Sequence, residues 1–142
     1  MQGPCASGSL PMASICAVRC RPVFDPRTVA AAYGVAIELA DLGDWDRTLL
    51  VAEYDPAART IRINERALAA YRLACGVPSS CQVRAFIDYA LAHELYHHRE
   101  ALGEIPRLPT RAQREAAADA FASERVAIDA RLAAFLRSKA PA

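Results

Sequence analysis

The sequence predicts an α+β fold in which a small β-sheet packs against two principal helices. Three observations carry that expectation. The β-rich runs "VAIELADL", "TLLVAEY" and "TIRIN" all fall in the first half of the chain. Two capping-box signatures, "SSCQ" and "TRAQ", open long helical patterns in the second half. No internal repeat or linker interrupts residues 23–138. At 142 residues and 15.4 kDa the chain has the length of one domain, enough to bury a real core.

Each element has a local cause. In "DPRTVAAAYG", Asp25 is placed as an N-cap, Pro26 as the first helical residue and Gly34 as a stop, which predicts a short helix. "VAIELADL" alternates apolar and polar residues as a half-buried strand does. "GDWD" reads as a turn. "TLLVAEY" and "TIRIN" form a hairpin across "DPAAR". Asn64 caps the helical "ERALAAYRLAC", which Gly76 ends. The Ser79-to-Gln82 capping box predicts a helix from Ser80 to Ala101, with Gly103 near its end. "IPRLP" is a stiff connection, and the Thr110-to-Gln113 box opens a final long helix expected to reach Arg137. Residues 1–22, rich in Gly, Pro and Ser, read as a flexible leader, with Met12 as a second candidate start; residues 139–142 read as a tail.

Composition narrows the function classes. Seventeen basic and 16 acidic residues give a net charge of +1, so nothing points to nucleic acid or an anionic membrane. No apolar run reaches the roughly 20 residues that span a bilayer. The N-terminus lacks the basic start and apolar core of a secretory signal. The five cysteines, Cys5, Cys16, Cys20, Cys75 and Cys81, are odd in number and lack a disulfide-framework spacing. They are expected as free thiols in a reducing cytosol, with no role assigned. Cys16 and Cys20 resemble half of a zinc site whose second half is missing.

All three histidines lie in "AHELYHHRE", residues 92–100. On the expected helix His93 and His97 are four apart, so their side chains stack on one face and can reach one metal ion. Glu94 is turned about 100° from His93, beside the ion, as a general base. A catalytic zinc usually has three protein ligands and one open position. Glu115, 18 residues after His97 and across a proline-containing connection, is the candidate third ligand. Asp119, four residues on and on the same face, suits the carboxylate that accepts the outer N–H of His93. Ala112, Ala116, Ala117, Ala118, Ala120 and Ala122 narrow this helix, which lets it approach closely, although alanine is also the best helix former. His98 is expected at the surface or on the substrate side. Tyr89 shares the metal-facing side, either touching a bound carbonyl or packing in the core as Phe86 does. Tyr96 faces elsewhere. The residue that stabilises an oxyanion stays open among Tyr89, His98, Tyr54 and the arginines.

"HELYH" followed by "EAAADAFA" resembles the gluzincin metallopeptidases and, more narrowly, the ImmA/IrrE family, which pairs an HEL-x-H helix with a later E-x-x-A-[DN]-x-F-A segment. "YDPAARTIRIN" resembles the hairpin that leads into that family's active-site helix, and the likeness spans roughly residues 28–125. Tyr96 stands where many members have glycine, and "SERVAIDARL" replaces the "LLMP"-like ending. The resemblance implies a zincin-like fold with Zn2+ on His93, His97 and Glu115. It makes Glu94 the catalytic acid/base and Asp119 the outer partner. The implied activity is site-specific cleavage of a cytoplasmic protein, a transcriptional repressor on a separate chain. Independently of the resemblance, the substrate is expected to lie extended along the exposed edge of the small sheet, adding a strand to it. Two alternatives stand beside it: a non-catalytic regulatory binding protein that contains zinc, and a minimal gluzincin of broad specificity.

Overall fold

The computed structural model describes residues 24–43, 49–76 and 78–139. The leader, most of "GDWD" and residues 140–142 lie outside the described residues. The described elements run α1 (Pro26–Ala32), β1 (Ala36–Ala40), β2 (Ala52–Asp55), β3 (Thr60–Asn64), α2 (Glu65–Cys75), α3 (Ser80–Ala101), α4 (Arg111–Arg125) and α5 (Ala130–Lys139). The architecture is therefore α+β, with five helices and a three-stranded mixed sheet of order β1-β3-β2.

The helix starts follow the expected chemistry. Asp25 caps α1 by accepting from the Arg27 amide, and Asn64 caps α2 by accepting from that of Arg66. Both capping boxes form, Ser79 with Gln82 and Thr110 with Gln113, so the first residues of α3 and α4 are fixed. Gly76 ends α2 with a φ of 74°, a conformation glycine reaches without steric cost.

β2 and β3 form the expected hairpin, pairing Tyr54 with Ile61 and Ala52 with Ile63. Its turn is held by Asp55 Oδ1, which accepts from the amides of Ala57 and Ala58. β1 lies on the other side of β3 and runs parallel to it, pairing Ile37 with Ile61. Both strand expectations beside β3 shorten. The run "TLLVAEY" is a strand only from Ala52, and "VAIELADL" only from Ala36 to Ala40. Ile61 and Ile63 are fully buried between sheet and helices. Beneath them lies an aromatic cluster in which Tyr71 stacks on Phe86 at 5.3 Å and Phe135 meets both rings. Phe86 is thus core, as expected.

Two expectations are corrected. The final helix does not run unbroken towards Arg137. It stops at Arg125, where Val126 turns extended (φ −117°, ψ 118°), and α5 starts afresh at Ala130. Two forces break it: the β-branched Val126 and Ile128 turn inward to the core, and Asp129 Oδ1 accepts from the Leu132 amide. The second correction concerns the cysteines. Cys75 is a free thiol, but Cys81 is disulfide-bonded, so it does not fit the expected set of free thiols. No helix among the described residues is long and apolar enough to cross a membrane.

The restart at Asp129 yields a stability prediction. Asp129→Ala removes both the bond to Leu132 and the one accepted from Gln82. It is expected to cost about 1 kcal/mol in urea denaturation, within the usual range for a lost N-cap.

Candidate metal centre

The site is built where α3 and α4 pack side by side. Contacts pair His97 with Glu115, His93 with Asp119 and Tyr89 with Asp119, so the two helices run antiparallel. Close approach depends on small residues, since Ala92, Ala118 and Ala122 are all fully buried in the interface. The alanine expectation therefore divides. Ala118 and Ala122 make the contact, while Ala112, Ala116 and Ala120 are exposed and serve helix propensity alone.

Three ligand atoms converge. His93 Nε2 is 3.0 Å from Glu115 Oε2, His97 Nε2 is 3.2 Å from Glu115 Oε1, and the two Nε2 atoms are 3.3 Å apart. Donors bound tetrahedrally at about 2.0–2.1 Å from a zinc ion stand roughly 3.3 Å from one another. The observed spacing is that of one face of such a tetrahedron, so His93, His97 and Glu115 can hold a metal ion. The far side of each ring agrees. His93 Nδ1 lies 2.8 Å from Asp119 Oδ1, and His97 Nδ1 lies 2.7 Å from Glu100 Oε1. A carboxylate only accepts, so each Nδ1–H donates outward, and the lone pairs of a neutral ring then sit on the inward Nε2 atoms.

Glu94 is 8 % exposed, and its Oε1 is 4.0 Å from His93 Nε2, beside the convergence and not in it. Burial raises its carboxyl above the usual range, opposed by His93 and His97 and reinforced by Glu115 and Glu53. A carboxylate so raised holds a proton more readily than one in water. In the metal-free site burial alone would lower His93, but its bonds to Asp119 and Glu115 outweigh that and push it up to about 10. His97 is raised by Glu115 and Glu100 against the same burial. Glu115 is held far below the usual carboxylate range by its bonds to both rings.

The remaining predicted residues are placed elsewhere. His98 is 2 % exposed, which corrects the surface half of its expected surface or substrate-side position. Its Nδ1 meets the Tyr54 hydroxyl at 2.5 Å, and the rings of Tyr33 and Tyr54 flank it edge-on, tying α3 to α1 and β2. Tyr89 is buried against α4, its hydroxyl 3.4 Å from Asp119 Oδ1, so it braces that carboxylate. Tyr96 packs on Phe121. Glu100 had no place in the expected set, although its three-residue spacing from His97 in "HHRE" was a readable signal.

A pH dependence follows. In the metal-free protein the raised His93 contributes stability that is full below 6.5 and lost as pH rises through about 10. The depressed Glu115 contributes stability present above 4.5 and lost on acidification. A metal ion taken up at the Nε2 atoms would displace ring protons, so its affinity would gain about tenfold per pH unit for each proton displaced. Scanning thermal unfolding from pH about 6 to about 9, the metal-free protein is expected to lose stability while the added increment from zinc grows. Glu115→Gln should flatten both trends. No family model, curated protein or solved structure matches this chain.

Proposed function

We propose that this chain is a zinc-dependent endopeptidase that hydrolyses a peptide bond in a cytoplasmic protein, a transcriptional repressor being the substrate the sequence resemblance implies. The observation that supports it is the convergence of His93, His97 and Glu115 with the buried Glu94 carboxylate alongside. When bound there, zinc lowers the pKa of a water to about 7 and polarises the scissile carbonyl. Glu94 takes the proton from the attacking water and later delivers it to the leaving nitrogen. The outward bond of His93 to Asp119 keeps that ring in the tautomer that ligation needs. The substrate lies extended along the free edge of β2, the strand that carries Glu53 and Tyr54. Backbone N-methylation of a substrate peptide along that register is expected to block its cleavage; unaffected cleavage removes the edge-pairing step.

One observation favours a second reading, a non-catalytic regulatory binding protein with structural zinc. Tyr89 and His98, both candidates for the oxyanion, are buried, one against Asp119 and the other against Tyr54. A single variant separates the readings. Glu94→Gln is expected to bind zinc as the wild type does and to lose cleavage by about 10²–10⁴-fold. Biological function unchanged in that variant favours the binding protein. Candidate repressors presented beside generic peptides distinguish a dedicated enzyme from a minimal gluzincin of broad specificity.

The compartment has its own test. A cytoplasmic enzyme works among reducing thiols, where a disulfide at Cys81 does not persist. Under this reading Cys81 is alkylated by a thiol reagent in intact cells. Protection of Cys81 would move the substrate out of the cytoplasm.

A further inference from the structure

We infer that Glu100 is a positioning residue of the metal centre, holding His97 in its ligating orientation and tautomer. The inference rests on the zinc reading above and extends it to a residue that reading does not require.

The argument begins with how poorly Glu100 is placed for stability. Its side chain is only 7 % exposed. Oε1 is bonded to His97 Nδ1 at 2.7 Å, while the buried Oε2 has no hydrogen-bond partner among the described residues. Taking a carboxylate out of water with one oxygen unsatisfied is costly. Its position compounds the problem, because Glu100 is the penultimate residue of α3 and a negative charge at a helix C-terminus opposes the macrodipole. A polar or small residue there would suit the helix better. The compensation on the structure's own terms is His97.

That compensation grows when the ring binds a dication. Ligation at Nε2 draws electron density from the ring and makes Nδ1–H a stronger donor, so the bond to Glu100 strengthens only in the loaded site. Asp119 makes the equivalent contact to His93, but its side chain is 53 % exposed and water screens its charge. Of the two outer carboxylates, Glu100 therefore acts through the lower local dielectric and has the larger effect on its ring. It also reaches His97 from the same helix over three residues, so this contact needs no residue of α4.

The test uses Glu100→Gln, which keeps the shape and an accepting oxygen but removes the charge, and Glu100→Ala, which removes both. Asp119→Asn is the exposed comparator. Zinc affinity is measured by competition with a chromophoric chelator, and cobalt substitution reports ligand geometry through its visible bands. Glu100→Ala is expected to weaken zinc binding about 10–100-fold and shift the cobalt spectrum. Glu100→Gln should fall between it and the wild type, and Asp119→Asn should lose less than Glu100→Ala. Circular dichroism of the metal-free variants should match the wild type. Wild-type affinity and an unchanged cobalt spectrum in both Glu100 variants overturn the assignment and leave the zinc reading standing. Loss of fold in both variants also overturns it, because the role is then structural. A wild-type chain that takes up neither metal overturns the assignment together with the reading beneath it.

Discussion

The rest of the structure depends on the distance between two helices. Two imidazoles one turn apart on α3 are a local fact of any helix, but the third ligand arrives only if α4 comes close and in the right axial register. Ala92, Ala118 and Ala122 set the separation by leaving no bulk between the backbones. The capping boxes set the register. With α3 begun at Ser79–Gln82 and α4 begun at Thr110–Gln113, Glu115 lies one turn into its helix, opposite His97 and His93. Both constraints are cheap in sequence, a few small side chains and four capping residues, and together they define a three-point site.

Around that site the fold accepts interactions that a stability optimum would avoid. Glu94 and Glu100 are carboxylates with side chains at most 10 % exposed. His98 is buried, and its Nε2 has no hydrogen-bond partner among the described residues. These groups all belong to α3, whose side away from His93 and His97 contributes Leu91 and Leu95 to the buried core. A single rod thus packs on the sheet with one face and presents His93 and His97 on another. The Tyr54–His98 contact joins the two roles by tying β2 to the turn of α3 that carries His97.

What could be read from the chain follows from how local each cause is. Caps, the hairpin turn and the His93–His97 spacing are short-range and were legible, as was the Glu115–Asp119 pair once α4 was taken to return antiparallel. The break at Val126 was missed because alanine-rich periodicity continues through it. Only the tertiary demand for Val126 and Ile128 in the core overrides that pattern, although Asp129 was a usable cap signal. The burial of His98 was not legible either, since it depends on Tyr33 and Tyr54 arriving from elements 44 and more residues away. Likewise the parallel pairing of β1 with β3 leaves no mark in either strand's own pattern. Of the predicted chemistry, the three ligands, Glu94 and Asp119 are gathered at one place, whereas Tyr89 and His98 are engaged in packing and bracing.

The protonation of the metal-free site makes sense of its surplus of acids. Glu94, Glu100, Glu115 and Asp119 surround two imidazoles, and the proton affinity of both rings rises as a result. A dication at the Nε2 atoms meets the same negative surroundings that favour a ring proton there. The carboxylates that favour imidazolium in the metal-free protein therefore favour a metal ion in its place, with the same outward Nδ1 bonds to Asp119 and Glu100 retained. The observed ion-pair geometry, with ligand atoms 3.0–3.3 Å apart, requires little rearrangement to become a coordination sphere. The side chains that could hold a metal ion are thus already gathered and oriented by their contacts with one another.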